Sequence, residues 1–280
     1  MPERYVCNLS DELIQIANKE LNEPLEDSDK HRAIDKLKMA YNEDVYGKLS
    51  RNDDHFLIRF LRAKKYNQEK ALKTLQNYHK SRRESPEIFD KIKNPVLLKP
   101  YLDQGFLYIL PGKAKDGSAM LLQRSKLMKN FKEEDMDAMA AFGILSMEKL
   151  LEDESVQIRG VSSIRDYEGF NLSLILSIPL ARMKVMSKFW QDAMPMRYKA
   201  SHILNESSVY SAVMAVFKPF MKQKILDRIV LHGDRYQELQ EHIDVNHLPP
   251  YLGGKGPTCE EGGKVWNEKL AEDWVHDTEL

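Results

Sequence analysis

The chain has 280 residues, 42% hydrophobic and 30% charged, with 42 Lys and Arg against 43 Asp and Glu for a formal net charge of −1. That length holds one large or two modest domains, with room for a sizeable core or an internal cavity. Balanced charge and ordinary Gly (13) and Pro (12) content exclude a generically basic nucleic-acid binder, an acidic disordered chain and a low-complexity one.

The first 20 residues lack an apolar h-region, so no signal peptide is expected. Cys7 and Cys259 lie too far apart for a disulfide framework or a zinc spacing, which fits a reducing compartment. Residues 9–18 read as a helix opened by Ser10, and residues 31–41 as a second. Asp53 and Asp54 then cap FLIRFLRAKKY, where Phe56, Leu57, Phe60 and Leu61 share a face and Arg59 and Arg62 fall on the other flank. NQEKALKTLQNYHKSRR continues as a helix with Ala71, Leu72, Leu75 and Tyr78 inward.

After Ser85–Pro86 strands begin to alternate with helices. GFLYILPG and SAMLLQRS flank the turn cluster KAKDG and predict a hairpin. A helix over 133–151, a strand over 160–169, a helix over 179–192, a strand over 197–207, a helix over 208–224, a strand over 228–233 and a closing helix, YQELQEHI, follow. This order predicts a three-layer α/β domain behind a small helical bundle. The divisions expected are 1–90, 91–257 and an acidic C-terminal tail, 258–280.

Catalytic signatures are missing: no G-x-S-x-G, Walker A, G-x-G-x-x-G or H-E-x-x-H. His232 at a strand end is expected to be a satisfied structural residue, and Asp166 and Glu168 to cap a turn and pair with Arg165. No catalytic residue, metal site or cofactor is expected, and the chain is not read as an enzyme.

The apolar pattern says more. Nine of the 13 methionines lie between Met136 and Met221, a density suited to an adaptable apolar surface. In the 208–224 helix, Val209, Val213, Val216, Phe217 and Phe220 share one face, with Tyr210, Met214 and Met221 widening it and Pro219 predicting a kink. Residues 182–228 carry nine basic and three acidic side chains; residues 259–280 carry seven acids and two bases. A basic region beside an apolar helix suits an anionic membrane surface as well as it suits a solvated face.

Residues 53–89 resemble the N-terminal helical module of the CRAL-TRIO lipid-transfer family. DYEGF (166–170), MPMRYKASHILNES (194–207), VFKPFMKQKILDRIVLHG (216–233) and LPPYLGG (248–254) resemble its lipid-binding domain in order and spacing. The branch containing α-tocopherol transfer protein, cellular retinaldehyde-binding protein and the clavesins is the most similar. The resemblance implies a helical bundle packed on a mixed β-sheet with flanking helices, a buried pocket for one small lipophilic ligand of tocopherol, retinoid or other isoprenoid type, and a gate helix. It also implies a phosphoinositide site, carried here by Arg59, Arg197, Lys199, Lys224 and Arg228. Implied pocket positions are Phe142, Val161, Ser163, Arg165, Met186, Phe189, Trp190, Met194, Met196 and Tyr198. The gate matches 205–221, with Val209, Val213, Met214, Phe217, Phe220 and Met221 facing inward.

One segment departs from the family. VSSIRDYEG carries Ser162, Ser163 and Arg165 in a strand that is usually apolar. If the Val161–Ser163–Arg165 face points inward, the cavity is more polar than a tocopherol or retinoid site; if not, Arg165 pairs with the neighbouring carboxylates. The expected protein is cytoplasmic, monomeric and reversibly membrane-associated. Its expected partners are a lipophilic molecule and an anionic, phosphoinositide-bearing membrane, not nucleic acid. A phospholipid exchanger or sensor on the same fold is the alternative.

Overall fold

The computed structural model describes residues 3–49, 51–93, 98–102, 105–128, 132, 135–170, 173, 176, 178–206 and 208–274. The N-terminal part is helical: α1 (Asp11–Leu21), α2 (Asp27–Ala40), one-turn α3 (Glu43–Tyr46), α4 (Asp54–Ala63), α5 (Gln68–Glu84) and α6 (Pro86–Ile92). Side chains set several of the starts. Ser10 accepts from Leu13 N–H, Asp53 from Phe56 N–H and Asn67 from Lys70 N–H, each satisfying a donor that the first turn leaves free. Helix α4 is buried nearly all round. Arg59 and Arg62, on the other flank, are 5% and 0% exposed, so this flank is buried too.

Arg62 is the hub of a buried network. It donates to both Glu23 carboxylate oxygens at 2.8 Å, to Glu154 at 3.1 Å, to Gln157 at 2.7 Å and to the Tyr5 hydroxyl at 2.8 Å. Burial opposes its charge, but these partners hold its pKa above the usual arginine value. Glu154 and Gln157 belong to α9 (Glu154–Arg159), so the network clamps the helical part to the sheet domain.

The sheet domain contains one-turn α7 (Lys99–Leu102), β1 (Leu107–Lys113), β2 (Ala119–Arg124), α8 (Met136–Leu150), α9, β3 (Val161–Asp166), α10 (Leu180–Lys188), β4 (Tyr198–Leu204), α11 (Ser208–Phe217), one-turn α12 (Gln223–Leu226), β5 (Ile229–Gly233) and α13 (Cys259–Trp274). Strand order is β1-β2-β3-β4-β5; the first pair is the expected antiparallel hairpin and the remaining pairs are parallel. The result is a mixed five-stranded sheet with flanking helices, an α/β fold behind a helical module. Gly160 opens β3 at φ +93, where a Cβ would stand 2.4 Å from the Arg197 carbonyl, so only glycine fits this close approach.

Three segments differ from the sequence expectation. The 208–224 helix is divided: α11 ends at Phe217, a 3-10 turn spans Lys218–Phe220, and α12 restarts at Gln223. Pro219 lacks the N–H that a continuous helix needs, so the chain breaks rather than kinks. The 179–192 helix closes in a π turn over Phe189–Ala193, and YQELQEHI forms a 3-10 helix, Tyr236–Glu241. Residues 259–274, expected as an acidic tail, form α13, whose Cys259, Trp266 and Leu270 enter the main core. Charge counting hid the i, i+7, i+11 spacing of those three residues.

Candidate functional site

The central strand β3 carries the chemistry. Val161, Ser163 and Arg165 alternate on one face; Ser162, Ile164 and Asp166 occupy the other. The second face is closed core: Ile164 is fully buried and the Ser162 hydroxyl lies 3.0 Å from that of Ser118. On the first face the Ser163 hydroxyl lies 2.5 Å from the Tyr198 hydroxyl and 3.3 Å from the Ser201 hydroxyl. Tyr198 and Tyr167 are also the nearest electrostatic partners of Arg165, whose pKa lies above the ordinary arginine value; burial pulls it down and the two phenols push it up. The Arg165 side chain is the one exposed side chain of β3, although it stands among dense protein atoms on the central strand.

The neighbouring carboxylates do not take this arginine. Glu168 pairs with Lys126 at 2.8 Å, and Asp166 accepts from the Asn205 side chain at 2.7 Å. The expected pairing of Arg165 with the carboxylates of its own turn is therefore absent among the described residues.

Helix α11 leans over this face. The Tyr210 ring meets the Tyr167 ring edge-on at 5.1 Å, and Tyr167 meets Phe170 at 5.2 Å. Val213 is buried against Met183 of α10, with Val216 and Phe217 half-buried beside them. Met214, Phe220 and Met221 are likewise half-buried, and the Val209 side chain lies outside the described residues. The chain after α11 is tied down by polar bonds. Phe220 C=O accepts from Ser187 Oγ at 3.0 Å and from Gln191 Nε2 at 2.8 Å, and Lys222 N–H donates to Gln191 Oε1 at 2.7 Å.

The pocket positions named from sequence divide in two. Phe142, Val161, Ser163, Phe189 and Met194 are buried, with Phe142 edge-on to Phe106 and Phe189 edge-on to Phe89. Arg165, Met186, Trp190, Met196 and Tyr198 keep accessible surface. Met183, Tyr167 and Ser201 were not singled out for this site; Tyr167 occupies the open position of the D-x-E-G turn, the one available signal.

The basic residues also divide. Lys224 feels Arg228, Lys65, Arg197 and Lys222; burial first, then this like-charge crowding, lowers its pKa. Lys64 is lowered in the same way, by burial and then by Lys222 and Lys224. Lys199 adjoins the same group, because Glu20 feels Arg197, Lys199 and Lys65 together, and its hydrogen bond from Arg197 holds its carboxyl below the usual range. Arg197 donates to Glu20 at 3.0 Å and to the Ile158 carbonyl, and Arg228 donates to the Tyr198 carbonyl. Arg59 stands apart: it lies over Phe56 at 5.6 Å, its charge neighbours are Arg51, Glu148 and Glu152, and its buried Nε has no hydrogen-bond partner. The cluster thus joins Arg197, Lys199, Lys224 and Arg228 to Lys64, Lys65 and Lys222. The missed signal was the Lys64–Lys65 pair at the end of α4, where Lys65 turns back at φ +54.

His232 is buried, 3.0 Å from His202 and 2.9 Å from Glu238, as a satisfied structural residue should be. Among the described residues no group of His, Cys, Asp and Glu could hold a metal ion, and no helix is long and apolar enough to cross a membrane.

The CRAL/TRIO domain profile matches residues 103–254, more than half the chain, and the CRAL/TRIO N-terminal domain profile matches 17–77. The chain belongs to the CRAL/TRIO family. It is 36% identical to the mouse alpha-tocopherol transfer protein-like protein over 98% of this chain and 79% of that one. It is 30% identical to Clavesin-1 of Xenopus laevis over 79% of this chain and 66% of that one. The crystal structure of Sfh5 shares the fold of this family member, with a TM-score of 0.55, 16% identity and coverage of 95% of this chain and 100% of that one.

Proposed function

We propose that this family member binds one lipophilic molecule beside the exposed Arg165 of β3, beneath α11, and exchanges it at an anionic membrane. The observation that carries the reading is the exposed Arg165 of the central strand lying under a half-buried apolar helix. A fully packed core leaves no such surface. The relatives named for transfer of alpha-tocopherol support a carrier rather than a catalyst.

Helix α11 and the turn after it serve as the gate. Sequence alone suggested five buried side chains, about 8–15 kcal/mol to expose. Of the four whose side chains are described, only Val213 is buried; Val216, Phe217 and Phe220 are half-buried. Opening is therefore cheaper, on the order of 4–8 kcal/mol. Lys and Arg near an anionic surface contribute about 1 kcal/mol each. The seven-residue cluster, partly neutralised by Glu20 and by the Asp192 paired with Lys222, offsets much of that cost at a membrane and little of it in water. Exposed Leu180 and Val185 on α10 give the same region apolar side chains for the interface.

The test is ligand transfer between vesicles with and without phosphatidylinositol bisphosphate. The wild type should transfer faster to the phosphoinositide vesicles, and Lys224→Ala/Arg228→Ala should lose that gain. Equal rates throughout would sink the gating mechanism. Organic extraction of the purified protein then separates an isoprenoid-like ligand from a co-purified phospholipid.

A further inference from the structure

Arg165 is an exposed charge that no described carboxylate neutralises. It lies on the central strand, in register with Gln123 of β2 and Ile203 of β4. Among the described residues it has no ion pair; the side chains that act on it most strongly are those of Tyr198 and Tyr167. The acids next to it are held by Lys126 and Asn205. Tyr210, 7% exposed, closes the space from the α11 side. A guanidinium set among dense protein atoms without a counter-ion depends on the water that reaches it. A neutral lipid that displaced this water would leave the charge unpaired. A carboxylate or phosphate would neutralise it through the paired N–H donors of the guanidinium.

We propose that the carried lipid has an anionic head group, a carboxylate or a phosphate, seated against Arg165 between Tyr167 and Tyr198. This rests on the carrier reading above and names the class of its cargo. Tyr198, already close to Ser163, and Tyr167 then supply hydroxyl donors to the same head group.

The experiment compares oleic acid, oleyl alcohol, oleoyl lysophosphatidic acid and α-tocopherol on the lipid-stripped full chain at pH 7.5, by calorimetry. The wild type should bind at least one acid about tenfold or more tighter than the alcohol of the same chain. Arg165→Gln should lose that preference, weakening the acid and leaving the alcohol unchanged or tighter; Arg165→Lys should keep part of it. Oleic acid binding above lysophosphatidic acid assigns a carboxylate, and the reverse assigns a phosphate. Should Arg165→Gln fail to fold, the wild-type preference for acid over alcohol still decides. Alcohol bound as tightly as both acids, acid preference surviving in Arg165→Gln, or uptake of α-tocopherol alone overturns the proposal and leaves the carrier reading standing. No uptake of any of the four overturns both.

Discussion

Gln191 grips the main chain around Phe220 with both ends of its amide. Its Nε2 donates to the Phe220 carbonyl at 2.8 Å, and its Oε1 accepts from Lys222 N–H at 2.7 Å. The π turn at Phe189–Ala193 aims the side chain there, and Pro219 has already broken the helix that would otherwise have used those groups. Two such bonds contribute about 2 kcal/mol. In Gln191→Leu, release of preloaded lipid to vesicles lacking phosphoinositide should accelerate about 10- to 30-fold. Unchanged release would mean that the end of α11 is not what holds the ligand in.

The Arg62 network makes a stability prediction. Arg62 is fully buried and Glu23 is 2% exposed, so removing one partner strands the other. Arg62→Leu should cost about 3–5 kcal/mol in urea unfolding, and Arg62→Leu/Glu23→Leu should recover much of it. A double variant no more stable than the single one would show that Glu154, Gln157 and Tyr5 sustain the loss without Glu23.

Much of this architecture could be read in advance because the relevant interactions are local. Ser10, Asp53 and Asn67 cap helices within three residues of their own positions, and the β1–β2 hairpin follows from one turn cluster. The burial of Arg62 was not legible because a helical wheel gives a residue's direction and not what waits there; Glu23 and Glu154 lie 39 and 92 residues away. The same limit separated Arg59 from the other four basic residues and hid Lys64 and Lys65 from the cluster they join. The inward or outward aim of Arg165 depended on Tyr198, which no periodicity connects to it.

Helix α13 yields a second stability prediction. Trp266 is 6% exposed and its indole N–H donates to Ser146 Oγ at 3.2 Å on α8. Trp266→Ala should destabilise the protein by about 3–5 kcal/mol, as for a large core side chain. An unstructured acidic tail would lose nothing on that substitution, so a variant with wild-type stability would count against the docked helix.

Acid should weaken the fold through two buried histidines. His202, 3% exposed, has its pKa lowered from 6.5 to about 4, by burial first and then by the nearby His242 and His232, with Asp116 opposing. His79, 6% exposed, is lowered to about 4 by burial and by Arg82. Both rings therefore stay neutral in the folded protein at a pH where the unfolded chain already binds a proton. Between pH 6.5 and 4 the unfolded state holds more protons, so this contribution is full above pH 6.5 and falls as the pH drops toward 4. By pH 5 each histidine should have removed about 2 kcal/mol. Glu238 on His232 stays charged through most of this window, since its bonds from Arg235 and His232 hold its carboxyl below the usual range. The measurement is unfolding free energy at pH 7.5 and pH 5 for the wild type and for His79→Gln/His202→Gln. The double variant should lose about 4 kcal/mol less than the wild type across that interval. Parallel losses in the two proteins would place the acid sensitivity elsewhere.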